Sequence, residues 1–263
     1  MYSKEAEDYL QRARTAGSVQ ISAELFEKLY LSPPNKVKGG LRKTFGNPTP
    51  IAVIGFLIAL TPLSCDLMGW RGAGGNGAAG VGSIFFFGGL LQIIGGILEW
   101  VLGNTFPSVV FSSFGAFFLS FGATLTPSFA AYASYAPAGE PAAAGLATQG
   151  FNASFGFWTL WMGVLCLVYL VCGLRTNICF VVIFFTLVLA FAFLTAAYWL
   201  LAQGFEVNAV VANKLVIAAG ACTFVTCLAG WWIFVAIMLA TLEFPFQIPV
   251  GDLSHLLKPN SPV

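Results

Sequence analysis

Six apolar stretches set the terms for this chain. They run at roughly 48–69, 79–102, 107–135, 153–173, 177–202 and 213–240. Each is near or above the roughly 20 residues that cross a bilayer core as a helix. Inside lipid every backbone N–H and C=O must be satisfied within the protein, so a spanning segment of this kind is helical. The expected fold is therefore all-α, a polytopic membrane protein with six transmembrane helices. Composition agrees: 58% of the 263 residues are hydrophobic and 9% are charged, against about 25% charged in soluble domains.

Charge is concentrated at one end. Lys4, Arg12, Arg14, Lys28, Lys36, Lys38, Arg42 and Lys43 make up eight of the twelve Lys and Arg. The expected division is a polar amino-terminal tail over 1–46, a six-helix domain over 47–242 and a carboxy-terminal tail over 243–263. The tail is expected to be a flexible or loosely docked segment, with a pattern at 21–30 (Ile21, Leu25, Leu29) that allows a short helix. The first 46 residues lack an apolar core of the signal-peptide kind, so the first transmembrane helix is expected to act as the insertion signal. Lys36, Lys38, Arg42 and Lys43 sit just before that helix, which by the positive-inside rule places both termini in the cytoplasm. Arg175 and Lys258 then fall inside, and Arg71 and Lys214 outside. Asn152-Ala153-Ser154 is a glycosylation sequon on the outer side.

Several chemistries are absent from the pattern. The six cysteines form no CxxC pair, and the single histidine, His255, lies in the carboxy-terminal tail. They read as small apolar packing residues, with no metal and no cofactor. There is no GxxxxGK[ST], HExxH or GxSxG motif, so the chain is not expected to be an enzyme. A net charge of +1 gives no footprint for nucleic acid.

Polar residues inside apolar stretches are the functional candidates, because lipid penalises them. The second stretch holds Gln92 and Glu99, seven residues apart and so on nearly one face. Gly82, Gly89, Gly96 and Gly103 repeat at the same spacing, widened by Gly88 and Gly95. Small residues in such a row let another helix approach closely. Two readings of Glu99 stand side by side: an acid facing a watery path, or a structural acid near the helix end. Gln92 reads as path-lining or as an interhelical hydrogen bond.

A second pattern joins alternate helices. Stretches 1, 3 and 5 begin near Asn47, Asn104 and Asn177, and Asn is a good N-cap. Nine to ten residues beyond each stands a bulky apolar residue: Phe56, Phe114 and Leu187. At about 1.5 Å per residue that is about 14–15 Å, half of a ~30 Å core. The spacing is that of three helical hairpins around a central path, plugged at mid-membrane by an apolar group.

The run Gly46-Asn47-Pro48-Thr49-Pro50-Ile51-Ala52-Val53-Ile54-Gly55-Phe56 resembles the NPAPLGL-type signature of the acetate uptake transporter family. That family includes bacterial succinate–acetate permeases and fungal acetate permeases and ammonia-export proteins. A second matching block is Gly88-Gly89-Leu90-Leu91-Gln92-Ile93-Ile94-Gly95-Gly96-Ile97-Leu98-Glu99-Trp100 with Gly103-Asn104-Thr105-Phe106. A third is Phe184-Phe185-Thr186-Leu187. Pro249-Val250-Gly251-Asp252-Leu253 is similar to the carboxy-terminal signature of fungal members. The resemblance implies six helices per protomer, a homohexamer, and a path through each protomer constricted at Phe56, Phe114 and Leu187. It also places the family's helix 2 Gln and Glu on Gln92 and Glu99.

The chain departs from the family pattern in three places. Phe114 stands where Tyr is usual. Thr49 and Ile51-Ala52-Val53 replace Ala and Leu-Gly-Leu. Ala59 and Leu60 stand where a Thr pair is common, with Thr61 beyond them. These changes dry the path or alter its packing. The leading functional expectation is a plasma-membrane transporter or channel for acetate and related monocarboxylates, coupled to protons. In it the helix starts at Asn47, Asn104 and Asn177 attract the anion. The alternatives are a pore for ammonia or another small neutral solute, and a sensor or structural protein that moves nothing.

Overall fold

The computed structural model describes residues 44–253. The helical pattern at 21–30, the basic cluster from Lys36 to Lys43, and His255 and Lys258 lie outside the described residues. Six helices are long and apolar enough to cross a membrane: α1 (Thr49–Leu67), α2 (Ala78–Val101), α3 (Thr105–Leu125), α4 (Gln149–Gly173), α5 (Ile178–Gln203) and α6 (Phe205–Thr241). No strand occurs among the described residues; one isolated β-bridge joins Asn177 and Asp252.

Two boundaries differ from the hydropathy reading. α3 ends at Leu125, not near 135, because Pro127 follows. The residue before a proline is driven out of the helical region, and Thr126 is extended at φ −89°, ψ 119°. The apolar chain then continues as short 3₁₀ turns at Pro127–Phe129 and Ala133–Tyr135. α6 starts at Phe205, not 213, carrying Glu206 and Asn208 in its first turns. Helix formation does not stop where hydrophobicity does. At 37 residues α6 is about 55 Å long, more than a ~30 Å core requires.

The helices pack in a ring. α6 lies on α5 and α1, α5 on α4, and α2 between α1 and α3. The remaining seam, α3 to α4, is closed by side chains: Phe117 stacks on Trp158 at 5.0 Å, and Ser113 Oγ meets Tyr169 Oη at 2.9 Å. Other seams carry their own polar pair. Thr159 Oγ1 meets Thr195 Oγ1 at 3.0 Å, Thr186 Oγ1 meets Thr226 Oγ1 at 2.6 Å, and Trp231 Nε1 donates to Thr61 Oγ1 at 3.1 Å. In lipid the hydrophobic effect does not drive helices together, so close packing and such bonds hold the ring. Large side chains face outward, with Phe86, Trp100 and Trp161 each about two-thirds exposed.

α1 contains Pro62. Proline has no N–H, so the carbonyl four residues earlier loses its helical donor. That carbonyl is Ile58's, and Ser83 Oγ of α2 donates to it at 3.1 Å. α2 is π-helical from Ile84 to Leu91, and its glycines serve two seams. A Cβ on Gly95 would lie 2.6 Å from Ala52 Cβ of α1, and one on Gly88 would lie 2.8 Å from Ala59 Cβ of α1 and 2.7 Å from Phe118 Cγ of α3. Gly89 and Gly96 instead meet Leu119 and Ser112 of α3. Pairs seven apart, offset by one residue, thus seat α2 against both neighbours.

The last described segment returns to the bundle. Ile178 N donates to Gly251 O at 2.8 Å, Leu253 N to Thr176 O at 3.0 Å, and Trp232 Nε1 to Pro249 O at 2.8 Å. Gly251 has φ +72°, and a Cβ there would lie 2.6 Å from Ile178 Cδ1. Val250 is buried beneath this strap.

Candidate permeation site

Asn47, Asn104 and Asn177 stand at one end of the ring, beside the starts of α1, α3 and α5. Asn47 Oδ1 accepts from Thr49 N at 2.9 Å, and Asn177 Oδ1 from Phe180 N at 3.0 Å. Both side chains cover helix-start donors. Asn104 makes no such cap. Its Nδ2 donates to Glu99 Oε2 at 2.6 Å, while its backbone closes the end of α2. Asn104 N donates to Glu99 O and Gly103 N to Trp100 O, both at 2.9 Å, with Gly103 at φ +79°. This is a Schellman ending, which needs a left-handed residue at Gly103.

Glu99 is fully buried. Its second carboxylate oxygen accepts from Thr49 Oγ1 of α1. One acid at the end of α2 therefore ties the starts of α1 and α3. Thr49, one of the departures from the family signature, supplies that donor.

Phe56, Phe114 and Leu187 belong to one buried apolar cluster. Phe56 and Phe114 meet edge to face with centroids 5.8 Å apart, and Leu187 is 2% exposed. They stand seven, nine and nine residues into α1, α3 and α5, about 11–14 Å along each axis. Phe118 packs on Phe56 at 6.2 Å, a partner the sequence pattern did not single out. Tyr169 of α4 is another: its ring lies 6.3 Å from Phe114 and its hydroxyl is held on Ser113. Nothing in the spacing of α4 marks it, because apolar and aromatic residues surround it on every side. Ala59 faces Gly88 and Thr61 faces Trp231, so these positions act at helix seams.

Beside the Phe56–Phe114 pair is a cavity of about 30 Å³. Its walls include Val53, Val110, Phe180 and Ile183, which precede Phe56, Phe114 and Leu187 in their helices, on the asparagine side. Gln92 is its one polar lining residue. Gln92 is fully buried; Nε2 donates to Gly88 O at 2.7 Å, within the π-helical stretch of α2, and among the described residues Oε1 has no hydrogen-bond partner. A buried amide oxygen left unpaired is a strong acceptor in a dry place.

The fold and this centre define a polytopic helical membrane protein whose helices ring a buried apolar cluster. The chain belongs to the GPR1/FUN34/yaaH family, whose model matches residues 33–255. It is 51% identical to Protein alcS of Aspergillus fumigatus over 238 residues, 90% of this chain and 86% of that one. It is 33% identical to acetate transporter protein patA of Aspergillus clavatus over 211 residues, 80% of each. Among solved structures it is similar in fold to the bacterial acetate channel SatP, with a TM-score of 0.57 and 24% identity, covering 79% of this chain and 99% of that chain. Named members of this family are transporters and channels, not enzymes.

Proposed function

We propose that the chain carries small monocarboxylates, acetate first, across the plasma membrane through the middle of each protomer. The observation that carries this reading is the cavity at Gln92, beside Phe56 and Phe114 and in the same apolar cluster as Leu187. A water needs about 10–15 Å³ measured this way, so the cavity has room for about two. That suits a solute of a few heavy atoms. The patA relative supports acetate as that solute.

Gln92 Oε1 accepts and does not donate. It welcomes an O–H or N–H and disfavours a bare carboxylate. The species that crosses the constriction is therefore uncharged acetic acid, and a proton travels with each acetate. The asparagine end faces the cytoplasm, next to the basic tail. There the starts of α1, α3 and α5 present their positive dipole ends to the anion before it is protonated. Glu99 acts as a clamp that sets these starts, since Thr49 and Asn104 both donate to it. The protomers assemble as a homohexamer, as the sequence resemblance implies.

The test is flux into liposomes holding the purified protein, with labelled acetate, succinate and methylammonium. Acetate should enter faster than in protein-free vesicles, acidify the lumen beyond free diffusion, and leave succinate behind. Acetate entry equal to that of empty vesicles rejects the reading. A second reading, a pore for neutral ammonia, is favoured by the same acceptor, which takes an N–H equally well. Methylammonium flux exceeding acetate flux would select it.

A further inference from the structure

The other end of the ring holds a second, larger cavity. The outer parts of α3 to α6, with the α1–α2 and α3–α4 loops, enclose about 390 Å³. This lies within the roughly 300–1,000 Å³ of small-molecule sites and is more than ten times the central cavity. Phe121 and Tyr198 stand seven residues beyond Phe114 and eleven beyond Leu187, so the chamber begins about 10–16 Å past the constriction.

Its walls are aromatic but not uniformly apolar. Phe151 stacks on Phe155 at 5.6 Å, and Phe155 meets Tyr198 at 4.7 Å. Asn152 is 1% exposed, and its Nδ2 donates to Leu146 O and Thr148 O, each at 2.8 Å. Two carbonyls on one side fix the amide orientation, so Oδ1 points the other way. Among the described residues nothing donates to Oδ1, and Asn152 lines the chamber. Tyr132 and Tyr198 also line the space, and among the described residues neither hydroxyl has a hydrogen-bond partner. Among the described residues no charged side chain lines it.

The geometry points to a binding site for an uncharged organic molecule with a flat apolar body and at least one N–H or O–H donor, whose seating closes this mouth of the path. The rings supply flat contact area, Asn152 Oδ1 accepts the donor, and Tyr132 and Tyr198 take a second polar group. An ion would enter without a counter-charge and lose hydration. A molecule that fills the chamber is far too large for the cavity at Gln92, so it blocks the path and does not cross. The closure rests on the transport reading; the binding does not.

Benzamide is a suitable probe, with benzoate and benzylammonium as charged counterparts of similar shape. Titration calorimetry of the full-length protein in detergent should show one saturable benzamide site per chain and at least tenfold weaker binding of both ions. Leu146→Trp, at a half-exposed wall position, should weaken benzamide at least tenfold by filling the chamber. Tyr198→Phe removes one hydroxyl and should weaken it roughly 2- to 10-fold. No saturable heat, equal binding of either ion, or no effect of both variants overturns the site. In proteoliposomes, saturating benzamide should slow acetate entry at least fivefold; bound benzamide with unchanged entry overturns the closure. A chain that binds benzamide and carries no acetate keeps the site and rejects the transport reading.

Discussion

Replacing Gln92 by Leu separates the two roles of one side chain. The change keeps a similar volume and removes both polar ends. Losing the Nε2 bond to Gly88 O at 2.7 Å costs about 0.5–1.5 kcal/mol, the net worth of a neutral hydrogen bond. Removing the unpartnered Oε1 returns about 1–3 kcal/mol of desolvation. The fold should therefore hold or gain up to about 2 kcal/mol, and the melting temperature in detergent should not fall. Transport should move the opposite way. An uncharged solute loses the one acceptor of the central cavity, worth about 1–1.5 kcal/mol, and every 1.36 kcal/mol on a barrier is tenfold in rate. Labelled acetate entry should drop about tenfold at equal protein load. Entry within twofold of the parent would refute the acceptor role. A melting temperature lowered by many degrees would show that Oε1 has a partner worth keeping.

Three further outcomes follow from the packing. Gly95→Leu forces a side chain where a Cβ already lies 2.6 Å from Ala52 Cβ; overpacking of about 1–3 kcal/mol should lower the melting temperature, while Gly82→Ala, which meets open space, should leave it unchanged. Asn152 cannot carry a glycan in the folded chain, because its Nδ2 is buried on two carbonyls; protein from a glycosylating host should show no mass change with endoglycosidase. Phe114→Tyr brings a hydroxyl to the constriction, so the ratio of acetate to methylammonium flux should rise a few-fold; an unchanged ratio in the same vesicles would place position 114 outside the selectivity.

Hydrophobic runs made the six helices legible, since a span's length is written directly in its composition. The ends were legible only where a local signal agreed with hydropathy. At α3 the apolar chain outlasted the helix, and Pro127 decided the stop. At α6 the helix began eight residues before the apolar run, at Phe205. The glycine heptads showed that α2 packs tightly, yet Gly95 turns to α1, Gly89 and Gly96 turn to α3, and Gly88 sits between Ala59 of α1 and Phe118 of α3. One row of spacings could not separate two faces offset by a single residue. The polar candidates were legible as a list and opaque as partners. Glu99 joins Asn104 five residues on and Thr49 fifty residues back; only the second pairing needed the fold. Tyr169 had no polar or periodic mark and entered only through its contact with Phe114.

The strap from Pro249 to Leu253 bears on how alterations near the end of the gene are read. It lies after the last membrane helix and would pass as a dispensable tail. A stop codon just after Leu242 would spare every span and still strip Val250, Gly251 and the backbone partners of Thr176 and Ile178 from the start of α5. A reporter fused at that point would do the same. Loss of activity from such an allele is then no evidence by itself for a trafficking signal in the tail, because the truncation also removes contacts that hold the start of α5.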